Sequence, residues 1–282
     1  MIGRISSESI TPYRELSPDE YGTFQQSNGN LIRFMQEQQT YHMVVWNHNE
    51  FEDTLDKIST EYNENQQSGW FLMERRSLHI NRLLLNLLSM ARTYLDHAET
   101  TLNRRYGESS PELNNFKTAT SRAYDDSFAY RFLYKLRNYA QHCGMPVGRV
   151  LFQASSQSTG GEIGAVVKAM HVYFEREQLL SSYDGWGNQV KSDLAQQPDS
   201  IEVRPLVSEF VDRLNEINVT RISGELAMIQ RSAQFIDALF QQLPLGPGNP
   251  AVIDTSEMTT DGGDVKIEWP ALHVVELLKQ AG

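Results

Sequence analysis

The strongest constraint on the fold is the segment 70–106, a long run without proline or glycine. Apolar residues recur in it every three or four positions, which is the spacing of one face of an α-helix. Between Leu83 and Leu88 leucines occur on nearly all sides, as is typical of a helix at the centre of a bundle. Gly107 directly follows the run, where a glycine often ends a helix. The pattern predicts one long, central helix from about Trp70 to Tyr106.

Three other segments show helical spacing. The segment from about Asn30 to Tyr62 is consistent with one long helix or two shorter ones, and another long helix is predicted over about Arg204–Leu243. Between them, a helix begins at Ser110-Pro111, has a joint near Asp125-Asp126 and must end before Pro146. Short helices are also predicted at Glu177–Ser182 and Pro270–Gln280.

The remaining segments favour strands or irregular structure. Residues 165–174 are rich in β-branched and aromatic side chains and predict a strand. Two strand-like runs flank Asp261-Gly262-Gly263, which predicts a hairpin near 251–269. Residues 1–28 are predicted to be an irregular lead-in, and Ala154–Gly161 a polar link. The expected fold class is therefore mainly α, a helical bundle with a small appended β element.

These elements suggest three regions. We expect the lead-in over 1–28, the bundle core over 29–150, and a C-terminal region over 151–282 that holds the strand, the helix 204–243 and the hairpin. The C-terminal region could fold separately or complete the bundle. The length of its helix favours packing on the bundle, because such a helix could supply a further helix that the bundle needs.

Composition excludes several classes of protein. The 36 acidic and 25 basic residues give a net charge of −11, which argues against a protein that coats nucleic acid over its whole surface. A single cysteine, Cys143, cannot form an internal disulfide. The N-terminus has no apolar core for a secretory signal, and the most apolar stretch, Leu78–Leu95, contains two arginines. We therefore expect a cytoplasmic protein without a membrane segment.

Sequence motifs for cofactors and metals are also missing. The chain has no glycine-rich phosphate loop, no His-Glu-x-x-His motif and no paired cysteines. His42 and His48 lie near several acidic residues, but this spacing is more typical of a solvated helix face than of a metal site. His171 is expected to be a partly buried, hydrogen-bonded histidine, and Trp186 a packing residue. No cofactor and no metal are expected.

One segment groups residues suited to phosphate chemistry. In residues 130–142, Arg131, Lys135, Asn138 and His142 fall on one arc of an ideal helix, and Tyr134, Arg137 and Gln141 extend that arc. The opposite arc is apolar. Asn138 and His142 are four residues apart, so the amide could orient the imidazole. No acidic residue occurs between Ser127 and Gly161, and the helix segment Arg75–Leu95 is acid-free in the same way around its arginines. If the two helices pack together, they would form a basic patch.

Arg137-Asn138-Tyr-Ala-Gln-His142 has the form Arg-Asn-x-x-x-His and resembles the signature of the HEPN superfamily. Many members of this superfamily are helical-bundle, metal-independent ribonucleases of toxin, phage-defence and RNA-processing systems. The resemblance covers about residues 70–150. A second Arg-x-x-x-x-His spacing, Arg92 to His97, lacks the asparagine.

The resemblance implies Arg137, Asn138 and His142 as catalytic residues, and we expect Arg131, Tyr134, Lys135 and Gln141 to bind RNA phosphate. It also implies a homodimer that joins two motifs in one cleft, with cleavage to 2′,3′-cyclic phosphate ends. A regulatory or antitoxin protein could restrain the activity. Three alternatives remain: a polar helix end without function, a non-catalytic module that binds RNA, a nucleotide or a protein, and an acidic antitoxin-like partner. Cys143 is expected to be an incidental thiol rather than a nucleophile.

Overall fold

The computed structural model describes residues 1–65, 70–159, 162–255 and 264–280. These residues are mostly helical with a few short antiparallel strands, so the predicted fold class is confirmed. Helices in the described part of the chain are α1 (Pro18–Asn65), α2 (Trp70–Tyr106), α3 (Pro111–Asp126), α4 (Phe128–His142), α5 (Arg176–Ser182), α6 (Asn188–Ala195), α7 (Val203–Ser223), α8 (Leu226–Phe240) and α9 (Leu272–Gln280). Strands there are β1 (Ile2–Ile5), β2 (Ile10–Arg14), β3 (Val147–Thr159), β4 (Glu162–Glu175), β5 (Ser200–Glu202), β6 (Asn249–Asp254) and β7 (Lys266–Glu268). Within the described ranges, every helix is too short or too polar to cross a membrane.

The chain forms two compact units. One unit is Met1–Gln39 with Ile222–Gly282, and the other is Thr40–Arg221. This division differs from the predicted one, because residues 151–221 belong with the bundle while residues 222–282 join the N-terminus. The pairing of the two chain ends depends on contacts across more than 200 residues, which local patterns do not encode.

The central helix of the larger unit is α2, with the bounds that the sequence predicts. Leu83, Leu84, Leu87 and Leu88 are almost completely buried, in agreement with a position inside the bundle, whereas Leu78 nearer the start of the helix is exposed. The chain leaves α2 at Gly107, whose φ of 91° is a conformation that favours glycine. The packed core of this unit also includes Phe51 of α1, Phe132 of α4 and Phe210 of α7.

Serine side chains cap the starts of α3 and α4, and the second of these serines lies at the joint that the sequence predicts between the two helices. Ser110 accepts a hydrogen bond from the backbone N–H of Leu113 and caps α3. Ser127 ends α3 and caps α4, because its hydroxyl oxygen accepts from the N–H of Tyr130 at 3.0 Å. The same hydroxyl donates to the Glu209 carboxylate at 2.6 Å. The start and orientation of α4 are therefore set at Ser127.

The strand prediction for 165–174 is confirmed, and the strand is longer. It lies at the centre of a three-stranded sheet in the order β3-β4-β5. The prediction of a polar link at Ala154–Gly161 is wrong for Ala154–Thr159, which lie in β3; the rest of that link falls outside the described residues. The serines there suggest a loop, but the pairing with β4 supplies the hydrogen bonds of the backbone.

The prediction of one long helix over 204–243 is wrong in one respect, because the segment forms two helices. The chain turns at Gly224 and Glu225 between α7 and α8, and the N–H of Glu225 bonds to the carbonyl of Ile222 at 3.0 Å. Apolar spacing continues across the break, so the periodicity conceals it. Gly224 is the local signal, since glycine weakens a helix interior.

In the smaller unit, the prediction of an irregular lead-in over 1–28 is wrong. Strands β1 and β2 form a hairpin, and β1 also pairs with β6, giving the sheet order β2-β1-β6-β7. Helix α1 already begins at Pro18, where Ser17 and Glu20 form a capping box: each side chain accepts from the other residue's backbone N–H. The hairpin predicted near 251–269 is confirmed by the pairing of β6 with β7, while its turn at Asp261-Gly262-Gly263 lies outside the described residues.

Candidate functional site

Buried aromatic side chains determine which face of α4 is left accessible to solvent. Phe132, Leu133 and Leu136 are fully buried, as the sequence predicts. Tyr139, which lies inside the Arg137–His142 motif, is also buried and stacks on Trp186, with ring centroids 5.6 Å apart and planes inclined by 16°. Trp186 is a packing residue, as predicted, and its indole N–H donates to the Leu179 carbonyl at 2.9 Å. This contact fixes the rotation of α4 about its axis at the motif.

The three motif residues lie at the C-terminal end of α4. Arg137 and Asn138 are half-buried, and His142 is exposed at the last position of the helix. The Nε atom of Arg137 is enclosed by protein and has no hydrogen-bond partner. Among the described residues, the side chains of Asn138 and His142 form no hydrogen bond, so the amide does not orient the imidazole here. The side chains of all three are therefore available to a ligand.

Two of the predicted phosphate-binding residues lie beside the motif without a partner. Lys135 is half-buried and Gln141 is exposed, and within the described chain neither forms an ion pair or hydrogen bond. Cys143 follows His142 as an exposed free thiol and is the C-cap of α4, with its backbone N–H bonded to the Tyr139 carbonyl.

Arg131 has a different role from the one that the sequence suggests. Its Nε atom donates to the Asp193 carboxylate at 2.6 Å, and its Nη1 atom donates to the carbonyls of Tyr124 and Asp125 at 3.1 Å. Only 11% of its side chain is exposed. Arg131 therefore ties α4 to α6 and to the end of α3, and it is not free to bind RNA. Asp193 lies far along the sequence, so helix periodicity cannot reveal the pair.

The predicted basic patch is largely neutralised. Helices α2 and α4 do pack together, but Arg76 pairs with Glu61, Arg82 with Glu50 and Arg149 with Glu175. These carboxylates come from α1 and β4, outside the acid-free segments. Within the described ranges, Lys135 and Arg137 are the basic side chains of α4 that form no ion pair.

Tyr134 lies one turn before the motif, in an aromatic cluster. Its ring contacts those of Tyr124 and Tyr130, and the guanidinium carbon of Arg92 lies 5.1 Å from its centroid. Arg92 also donates to Asp96 at 2.9 Å. The arginine of the second Arg-x-x-x-x-His spacing is therefore held in this cluster, while His97 is exposed.

The other histidines do not form a metal site in the described ranges. Side chains of His, Cys, Asp and Glu form no group of three or more there that could hold a metal ion. His171 is partly buried and bonds to the Glu202 carboxylate at 2.7 Å through Nδ1, as the sequence suggests for a hydrogen-bonded histidine.

Asn81, which the sequence analysis does not single out, links α2 to the segment that follows the motif. Its carbonyl oxygen accepts from the N–H of Val147 at 3.0 Å, and the Asn81 side chain is 2% exposed. Asn81 therefore fixes the chain just beyond His142. A polar residue inside the apolar stretch of α2 is the signal that could have identified it.

No protein-family model, curated protein or solved structure matches this chain.

Proposed function

We propose that the protein is a metal-independent endoribonuclease of the HEPN type, acting in the cytoplasm as a toxin or phage-defence effector. The observation that carries the proposal is the placement of Arg137, Asn138 and His142 at one accessible helix end, with none of the three bonded to another side chain among the residues that the structure describes. The packing of Tyr139 on Trp186 supports it, because this contact fixes the rotation of the helix that carries the three polar residues.

In this proposal His142 transfers protons. An imidazole can accept a proton from the 2′-hydroxyl of RNA, or donate one to the leaving 5′-oxygen, near neutral pH. The 2′-oxygen attacks phosphorus, the bond to the 5′-oxygen breaks, and the products carry a 2′,3′-cyclic phosphate and a 5′-hydroxyl. Arg137 stabilises the charge on the phosphate as a planar donor, and Asn138 orients the phosphate.

A homodimer would complete the site. One motif offers a single imidazole, whereas the reaction needs both a base and an acid, and a second copy of α4 would supply the other. A regulatory or antitoxin protein would act by covering the same helix end. Light scattering of the purified protein tests the dimer, since a strict monomer would contradict a two-motif cleft.

The decisive experiment is the incubation of the protein with end-labelled RNA in EDTA, beside His142→Ala. We expect cleavage by the parent protein, with cyclic-phosphate ends, and a loss of about 10²-fold or more in rate for the variant. His97→Ala is the matched control, because it removes an equally exposed helical histidine from the second Arg-x-x-x-x-His spacing. If a folded His142→Ala protein cuts RNA at the parental rate, the proposal is wrong.

The second candidate is a non-catalytic module that binds RNA, a nucleotide or a protein at this surface. The missing hydrogen bond between Asn138 and His142 favours it, because a catalytic imidazole is usually oriented by a partner. Binding of the same RNA without cleavage, by a monomeric protein, would support this candidate instead.

A further inference from the structure

A groove of about 370 Å³ lies between α2, α3 and the first half of α4. We call it the tyrosine pocket. Its volume is that of a site for a small ligand. Six of the residues that line it bear on the kind of ligand it can bind: Tyr124, Tyr130, Tyr134, Arg92, Asp96 and Glu99.

The pocket is lined by planar side chains in fixed relative orientations. The rings of Tyr124 and Tyr134 lie 6.4 Å apart and are nearly perpendicular, at 89°. The guanidinium of Arg92 covers Tyr134 and is held there by Asp96. Unstacked nucleobases pack on tyrosine rings and on guanidinium planes in proteins that bind single-stranded RNA.

The Tyr130 hydroxyl also lacks a partner. Its side chain is only 2% exposed and lines the pocket, yet within the described chain the hydroxyl forms no hydrogen bond. Burial raises the pKa of Tyr130, with Arg92 opposing, so the group remains a donor. Because the hydroxyl oxygen reaches the open pocket, it can donate a hydrogen bond to a ligand that carries an acceptor.

The charged side chains that line the tyrosine pocket restrict the class of ligand that it can bind. The carboxylates of Asp96, Glu99 and Asp125 line the pocket. Asp96 is paired with Arg92 and Glu99 with Lys117, so that among the described residues the carboxylate of Asp125 is left without an ion pair. This excess of negative charge disfavours a phosphate inside the pocket. It favours an uncharged ring whose N–H groups donate to carboxylates and whose acceptors face Tyr130 and Arg92.

We propose that the tyrosine pocket binds one nucleobase of the substrate, a base with an exocyclic amino group, and thereby sets the cleavage preference. The inference rests on the proposed function, which supplies RNA as the substrate. Tyr134 precedes His142 by eight residues, or about 12 Å along the axis of α4. The bound base would therefore lie close to the cleaved phosphate but outside the reacting group.

The test measures the binding of guanosine, adenosine, cytidine, uridine and ribose 5-phosphate to the folded His142→Ala protein by calorimetry. We expect the three amino-bearing nucleosides to bind, uridine to bind about fivefold more weakly, and ribose 5-phosphate not to bind. Equal binding of uridine, equal binding of ribose 5-phosphate, or no nucleoside binding at millimolar concentration would overturn the inference.

Variants locate the binding. Tyr134→Ala should weaken nucleoside binding about tenfold through lost stacking, and Arg92→Lys should weaken it although the charge is kept. Tyr130→Phe keeps the ring and removes only the donor, so a loss of binding in this variant does not reflect unfolding. Tyr13→Ala is the control, because Tyr13 is an exposed tyrosine of β2 outside the pocket. Unchanged binding in all three pocket variants would place the site elsewhere.

The two proposals can fail separately. Nucleoside binding by the His142→Ala protein does not depend on catalysis. Binding in the pocket without RNA cleavage by the parent protein would reject the ribonuclease and keep the base site. Cleavage without nucleoside binding would reject the base site alone.

Discussion

Tyr139 and Trp186 stack in parallel at the centre of the larger unit, and this contact links the motif helix to the segment between α5 and α6. Both side chains are almost fully buried. Because Tyr139 is the third residue of the Arg137–His142 motif, its burial determines where the neighbouring polar side chains point. A packing contact thus orients the candidate catalytic residues.

Replacing Trp186 with alanine should therefore destabilise the protein strongly. Loss of a fully buried tryptophan costs about 3–5 kcal/mol of unfolding free energy, through lost apolar contacts and a cavity. Urea unfolding measures it, with Trp186→Phe as a control that keeps an aromatic ring and should lose less. Parental stability of Trp186→Ala would contradict the assignment of Trp186 as a core residue.

Arg131 and Arg137 should respond in opposite ways to the same substitution. Arg131→Gln removes the ion pair with Asp193 and should cost about 2 kcal/mol of stability, because this pair is largely shielded from water. Arg137→Gln breaks no ion pair within the described part of the chain, so its stability should change by less than about 0.5 kcal/mol while RNA cleavage is lost. Thermal unfolding and the cleavage assay, run on both variants, separate the roles. Equal destabilisation by the two substitutions would show that Arg137 is also structural.

Ser127→Ala should loosen the start of α4. The variant loses the cap on the Tyr130 N–H and leaves the Glu209 carboxylate without its hydroxyl donor, at a cost of about 1–2 kcal/mol. Ser127→Thr keeps the hydroxyl and should retain most of the stability. Hydrogen exchange of the first-turn amides of α4 measures the effect locally, and unchanged protection in the alanine variant would argue against the cap.

The smaller unit should lose stability in acid through Glu20. Hydrogen bonds from Arg14 and from the backbone of Ser17 lower the pKa of Glu20 from 4.5 to about 2. A lowered pKa in the folded state stabilises the protein above pH 4.5, and this contribution is lost as the pH falls toward 2. Unfolding measured between pH 5 and pH 2 should therefore show a steeper loss for the parent protein than for Glu20→Gln. Parallel curves would contradict the prediction.

Local sequence patterns determined most of the helices. The bounds of α2, the joint at Ser127 and the end of α4 before Pro146 follow from apolar spacing, capping and proline, all of which act over a few residues. The same patterns identified the polar face of α4 on which Arg137, Asn138 and His142 lie.

Only the tertiary structure decided what these local elements contact. The strand β1 pairs with β6 from the opposite end of the chain, and Arg131 is bound by Asp193. Arg76 and Arg82 of α2 pair with acids of α1. Such partners are distant in sequence, and ion pairs and strand pairing leave no periodic signal in either segment. The sequence by itself determined most of the helices and which face of α4 is polar, whereas folding decided which charges on that face are paired.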